Sequence, residues 1–147
     1  MKSGDVFLIN TGSSHRSDKQ NLDESHWSDV RHLFVVISAP EKLPDVSFKD
    51  YVFLTMLTTQ EKWKDNSCII TPDDYSVLAH NSVAAFDVPP SLWVTLGDLQ
   101  MLKNKKRLVE KEPIPSNILE RLRKGYAISH YRKDKIFQFL FRQGVVD

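Results

Sequence analysis

A chain of 147 residues with 41% hydrophobic side chains has the usual size of one domain and enough apolar material for a core. Charged residues make up 27% of it, with only 5 glycines and 7 prolines, which argues against a fibrous or disordered protein. The single Cys68 excludes an internal disulfide and a cysteine-based zinc site.

The amino terminus carries no sign of export. Residues 1–10 contain too short an apolar stretch for a secretory leader and no small-residue cleavage site. No window of the chain approaches the roughly 18 apolar residues of a membrane span. We therefore expect a single domain over residues 1–147, cytoplasmic and without a membrane partner.

The formal net charge of +1 hides an uneven distribution. Residues 1–100 hold 8 Lys and Arg against 14 Asp and Glu, whereas residues 101–147 hold 12 against 5. A surface built from the second part would attract a polyanion or an acidic peptide. A solvated helical face explains the same pattern equally well.

Most of the chain has the β-branched, aromatic and apolar character of strands. In chain order we predict strands at Asp5 to Asn10, His32 to Ser38, Tyr51 to Leu57, Ser67 to Thr71, Ser82 to Phe86 and Leu92 to Thr95. The second and third are nearly continuous apolar runs, typical of central strands buried on two faces, as in a closed barrel. A polar loop at 12–30 is long enough to be functional or disordered. At 99–112 we expect a basic hairpin that turns at residues 104–106.

Two helices are predicted at the carboxyl end. The first follows Pro115, covers residues 117–124 and stops at Gly125. The second begins near Ser129 and has an apolar stripe of Ile136, Phe137, Leu140 and Phe141. The predicted fold is therefore mainly β with appended helices, in the α+β class.

Four sequence features follow one another in a fixed order. They are an opening Gly-Asp before an apolar strand, a strand ending in Ser-x-Pro after a long loop, a Thr-Thr-Gln after the next strand, and a late helix after a proline. In this chain they are Gly4-Asp5-Val6, Val35-Val36-Ile37-Ser38 with Pro40, Thr58-Thr59-Gln60, and residues 115–124. With these features the chain resembles the PemK/MazF family of toxins over most of its length.

The resemblance implies a fold, an activity and partners. The fold is a small SH3-like β-barrel with C-terminal helices, and the protein is a homodimer. The activity is sequence-selective cleavage of single-stranded RNA by a toxin endoribonuclease that needs no metal or other cofactor. A cognate antitoxin protein holds the enzyme inactive.

One position departs from the family pattern. The family places an arginine directly before the second strand and a threonine at the end of the third. Thr58 matches the threonine, but His32 occupies the arginine position and Arg31 precedes it. Successive side chains of a strand point to opposite faces, so Arg31 replaces its neighbour only if the strand begins later or bulges.

His32, Arg31 and Thr58 are the candidate catalytic residues. RNA cleavage by its own 2′-hydroxyl needs a base, an acid for the departing 5′-oxygen, and donors or positive charge on the phosphate. Histidine can serve as acid or base, whereas arginine only donates or stabilises charge. Thr58 offers a hydroxyl to a phosphate oxygen. The ordinary alternatives are a strand-edge histidine bonded to backbone and a threonine chosen for its strand preference.

Further candidates surround this set. His80, Ser82 and Thr59 are possible additional catalytic residues, although a turn capped by residues 81 and 82 explains the first two equally well. A basic group is expected to contact phosphates, with Trp27 stacking on unpaired bases. The group consists of Lys103, Lys105, Lys106 and Arg107. No ligand-like spacing of histidines suggests a metal site.

Two other functions stay open. One is a non-catalytic RNA- or protein-binding module on the same barrel, which fits the displaced arginine and the basic flank. The other is a toxin of the same fold that acts on a protein such as a topoisomerase, for which no residue speaks specifically.

Overall fold

The computed structural model describes residues 1–10, 31–42, 50–59, 67–86, 93–130 and 134–144. These ranges contain eight strands and three helices, so the α+β class is confirmed. In chain order they are β1 (Val6–Asn10), β2 (Arg31–Val36), β3 (Glu41–Lys42), β4 (Asp50–Thr59), β5 (Ile69–Ile70), β6 (Ser82–Ala84), β7 (Trp93–Thr95), α1 (Leu96–Asn104), β8 (Leu108–Lys111), α2 (Ser116–Ile128) and α3 (Asp134–Arg142).

The sheet is antiparallel and is organised around β4. Its order is β5-β6-β4-β2-β1-β8, and β3 and β7 also pair with β4. At ten residues β4 is long enough to pair with β3 and β7 through its first half and with β2 and β6 through its second. β5 and β8 end this order in the described part of the chain, so a closed barrel is not shown there. The SH3-like form of the fold stays a prediction.

Each face of the sheet has its own apolar core. On the face that we call the α2/α3 face, strand residues such as Val35 and Phe53 pack with Leu122, Tyr126 and Leu140 of the helices. On the opposite face, here the α1 face, the buried strand residues are Phe7, Phe34, Val36 and Leu54, and they pack with Leu99 of α1. The two-face burial predicted for β2 and β4 is confirmed. Helices on both sides of the sheet are one cause of it, because they exclude water from both faces.

The predicted basic hairpin at 99–112 is wrong in its first half, which is helix α1. Thr95 begins the helix with a capping box, in which the Asp98 amide donates to Thr95 Oγ1 at 3.0 Å. The Thr95 amide in turn donates to Asp98 Oδ2 at 3.2 Å. These reciprocal bonds satisfy amides that a helix start otherwise leaves unpaired. Only β8 remains of the expected hairpin.

The two carboxyl-terminal helices exist, but their bounds and faces differ from the prediction. α2 continues through Gly125 to Ile128, and the second helix begins at Asp134 instead of near Ser129. The buried residues of α3 are Ile136, Phe139 and Leu140, whereas Phe141 is 54% exposed, so its place in the apolar stripe was wrong. None of the described helices is both long and apolar enough to cross a membrane.

Candidate functional site

Most of the predicted site residues lie at one end of the sheet. At this end, which we call the site end, β1 and β4 finish and β2, β6 and β8 begin. The pairing brings Asn10 opposite Arg31 and Thr59 opposite Ser82. The Asn10 amide also donates to the Arg107 carbonyl at 2.9 Å. Residues far apart in the chain therefore meet at one edge of the molecule because the strands are antiparallel.

His32 and Thr58 each lie one residue beyond the last paired position of β2 and β4. The register between the two strands ends at Leu33 opposite Leu57, and His32 and Thr58 are the next residue of each strand toward the site end. Alternation along each strand puts both side chains on the α1 face. Both side chains are half-buried, so an imidazole and a hydroxyl lie on the same face of the sheet near the site end.

Arg31 is the first residue of β2, and the backbone around it is regular. The β1–β2 register runs without interruption from Asn10 opposite Arg31 to Val6 opposite Val35. A bulge or a later start of the strand was the condition for Arg31 to take the place of His32. The backbone of β2 shows no bulge there, so His32 keeps that position and the catalytic role of Arg31 stays a prediction.

Thr59 and Ser82 form an opposed pair, separated from His32 and Thr58 by the sheet. They face each other across β4 and β6, and alternation turns them to the α2/α3 face. Ser82 is buried, and its hydroxyl donates to the His80 carbonyl at 3.2 Å. The His80 side chain is exposed just before β6. The structure thus brings Thr58 to His32 but turns Thr59 and Ser82 away from them.

Arg107 is anchored at the site end by its own side chain. Its Nε and Nη2 atoms donate to the Asn10 carbonyl at 3.2 and 2.9 Å. A guanidinium that binds one carbonyl with two N–H groups is held in a fixed orientation. Its charge therefore stays where β1 ends and β8 begins. Asn10, whose side chain is fully buried, was not predicted as part of this site, since an asparagine that ends a strand looks like an ordinary turn residue.

The three lysines of the basic group are exposed, Lys103 in the last turn of α1 and Lys105 and Lys106 on the segment that joins α1 to β8. Lys103 Nζ lies 3.2 Å from Glu110 Oε1, an ion pair in which both side chains are more than half exposed. Lys106 adopts a left-handed backbone with φ of 57°, which turns the chain into β8. Exposed ammonium groups of this kind can contact phosphates. Trp27, the predicted stacking residue, lies outside the described residues.

In the described ranges no group of three or more His, Cys, Asp and Glu side chains is arranged to hold a metal ion. No protein-family model, no curated protein and no solved structure matches this chain.

Proposed function

We propose that this chain is a sequence-selective, metal-independent endoribonuclease of the PemK/MazF toxin type that acts on single-stranded RNA in the cytoplasm. One observation carries the proposal: His32 and Thr58 lie on the same face of the sheet, each one residue beyond the last paired position of β2 and β4. An imidazole supplies proton transfer near neutral pH, and a hydroxyl beside it supplies a donor to a phosphate oxygen. These are two of the groups that the reaction requires.

The proposed reaction is an internal transesterification. The 2′-oxygen attacks the adjacent phosphorus as its proton leaves, and the bond from phosphorus to the 5′-oxygen breaks as that oxygen gains a proton. The products are a 2′,3′-cyclic phosphate and a free 5′-hydroxyl. His32 serves at one of the two proton positions and solvent at the other, while the Thr58 hydroxyl donates to a non-bridging oxygen.

The basic group supports the choice of a polyanionic substrate. β8 begins at the site end, so the turn at residues 104–107 lies at that end as well. A strand of RNA passing over His32 would meet Lys105 and Lys106 there, with Lys103 one turn earlier in α1. Each phosphate that such a side chain contacts makes the RNA affinity fall more steeply as the salt concentration rises.

The proposed partners follow from the resemblance alone. A toxin of this type works as a homodimer and is inhibited by a cognate antitoxin, and both are part of the proposal.

A second function is favoured by the bonding of Arg107. The guanidinium described at the site end donates twice to the Asn10 carbonyl, so it holds strand ends together. A site whose arginine is committed to backbone can bind a strand of RNA, or a protein segment, without cutting it. Salt-sensitive RNA binding with no cleavage product would select this non-catalytic module.

The test is incubation of mixed-sequence single-stranded RNA with the protein in excess chelator, followed by mass spectrometry of the fragment ends. We expect cyclic-phosphate ends with the wild-type protein and a loss of roughly a hundredfold or more in rate with His32→Ala. His130→Ala is the matched control, because that histidine is exposed beyond α2 and outside the proposed site. Intact RNA with all three proteins would refute the nuclease.

A further inference from the structure

The outer edge of β8 presents hydrogen-bonding groups without a partner strand in the described part of the chain. β8 pairs with β1 along one edge and ends the strand order. The Asn10 amide donates to the Arg107 carbonyl, and in an antiparallel pair the direction of these groups alternates along each strand. The N–H and C=O groups of Leu108 and Glu110 therefore point away from β1. Such an edge is a template for another strand.

A cavity of about 470 Å³ opens beside this edge on the α1 face. It lies between α1, the first half of β1 and the length of β8. Its apolar lining includes Met1, Phe7, Leu96, Leu99, Leu108 and Pro113. Because Leu108 and Glu110 pair with Ile9 and Phe7, their side chains share this face. A strand added to β8 would point alternate side chains toward the same cavity.

The charge around the edge selects the occupant. Residues 101–112 carry five cationic side chains, Lys103, Lys105, Lys106, Arg107 and Lys111, against the two carboxylates Glu110 and Glu112. The charged side chains that line the cavity balance, since Lys103 and Lys111 stand beside Asp5 and Glu110, so the cationic excess lies at the start of β8 on Lys105, Lys106 and Arg107. Complementary charge steers association and suppresses wrong partners, so an acidic segment is favoured over a basic one.

We propose that β8 and this cavity bind an extended acidic segment of a partner protein by strand addition. The segment pairs with the outward groups of Leu108 and Glu110, seats an apolar side chain in the cavity and directs carboxylates to the exposed Lys105 and Lys106. Binding of the segment at this surface does not require that the protein cleave RNA. Phe7, which lines the cavity, precedes Asn10 at the site end by three strand residues, or about 10 Å along β1.

The test uses a labelled nine-residue peptide that alternates glutamate with valine or leucine, and a second peptide with lysine in place of glutamate. Glu110→Pro removes an outward N–H, a change that edge strands tolerate, and Glu110→Ala removes the side chain alone. Fluorescence anisotropy gives the affinities, hydrogen exchange reports the amides of Leu108 and Glu110, and thermal unfolding checks that each variant is folded.

We expect the acidic peptide to bind, to slow exchange at both amides, and to lose at least tenfold in affinity with Glu110→Pro but less than threefold with Glu110→Ala. Slowed exchange in the wild-type protein tests strand addition even if Glu110→Pro does not fold. Unchanged exchange at both amides, equal binding of the lysine peptide, or occupation of the edge by a second copy in sedimentation would each overturn the proposal.

Discussion

Gly125 of α2 lies directly against Cys68. A Cβ atom placed at Gly125 would stand 2.7 Å from the Cβ of Cys68 and 3.1 Å from the Ser67 carbonyl oxygen. Cβ atoms in proteins essentially never lie within 3.0 Å of another heavy atom. Only glycine, which has no Cβ, therefore lets the helix backbone come this close to Cys68. The contact explains why a glycine stands inside α2, where the sequence suggested a helix end.

Gly125→Ala is expected to lower the free energy of unfolding by roughly 1–3 kcal/mol, because the new methyl group forces α2 away from Cys68. Urea denaturation measures the change. Gly97→Ala is the matched control, since its Cβ would meet only Thr95 Oγ1 at 3.7 Å. In helix α1 that change should stabilise the protein by roughly 0.5–1 kcal/mol. Equal stability of Gly125→Ala and the wild-type protein would show that the close contact is absent.

Thr55→Val is expected to stabilise the protein. Thr55 is fully buried in β4 opposite Val35, and its hydroxyl has no hydrogen-bond partner among the described residues. A buried hydroxyl without a partner costs roughly 1–3 kcal/mol, and valine has nearly the same shape without that group. We expect a gain of about 1 kcal/mol in urea denaturation. A loss of stability would mean that the hydroxyl is hydrogen-bonded in solution.

Asp74 connects the turn after β5 to α2 through its carboxylate. The free energy of unfolding should therefore decrease at acidic pH. Its Oδ2 accepts from the Thr71 amide at 2.9 Å and lies 3.1 Å from Arg121 Nη1. The hydrogen bond from the Thr71 amide, with help from Arg121, lowers the pKa of Asp74 below its usual value. A carboxyl group whose pKa is lower in the folded state than in the unfolded chain stabilises the fold at pH values above its unfolded-state pKa. This stability is lost as the pH falls through the folded-state pKa.

Asp74→Asn should therefore lower stability at pH 7 and weaken its dependence on pH below about pH 4, the ordinary range of this group. Urea denaturation across pH 2 to 7 measures both effects. Asp73→Asn makes the same chemical change at an exposed neighbouring position and should leave stability at pH 7 nearly unchanged. If both variants behave like the wild-type protein, Asp74 does not form these contacts.

Tyr75 should make the free energy of unfolding fall as the pH rises in the alkaline range. Its hydroxyl donates to the Glu112 carbonyl, and burial, followed by the nearby Glu112 charge, raises the pKa of Tyr75 to about 12. The unfolded chain ionises near pH 10, so stability is fully present below that pH and is lost as pH rises toward 12. Tyr75→Phe should lose about 1 kcal/mol at pH 7 and flatten the alkaline limb. Wild-type behaviour on both counts would contradict the assigned bond.

The sequence predicted which strands are buried better than it predicted which elements cover them. The apolar runs of β2 and β4 correctly indicated strands covered on both faces. A barrel interior and a sheet between helices leave the same pattern, so the closed barrel did not follow. Helix α1 was missed because residues 104–106, at its end and just beyond it, resembled a hairpin turn, although Thr95 and Asp98 have the spacing of a capping box.

The candidate site was predictable in composition but not in arrangement. His32 and Thr58 were named from their positions near strand ends. Their placement on one face at the same end of the sheet depends on the register between β2 and β4, which the length and path of the connecting chain help to set and which sequence alone leaves open. Alternation along β4 separates Thr59 from Thr58, a distinction that follows for any two adjacent residues once the strand is predicted.

The central claim is that His32 and Thr58 act together on RNA. The most direct measurement is the single-turnover cleavage rate of single-stranded RNA in chelator for wild type, His32→Ala, Thr58→Val and the double variant. Thr55→Val is the control, because it makes the same change on the opposite face of β4. Groups that act as a unit have non-additive effects.

The account predicts that Thr55→Val keeps the wild-type rate and that Thr58→Val is slower by roughly tenfold to a hundredfold. It also predicts that the double variant is little slower than His32→Ala alone. Cleavage at the wild-type rate by the double variant would contradict the account.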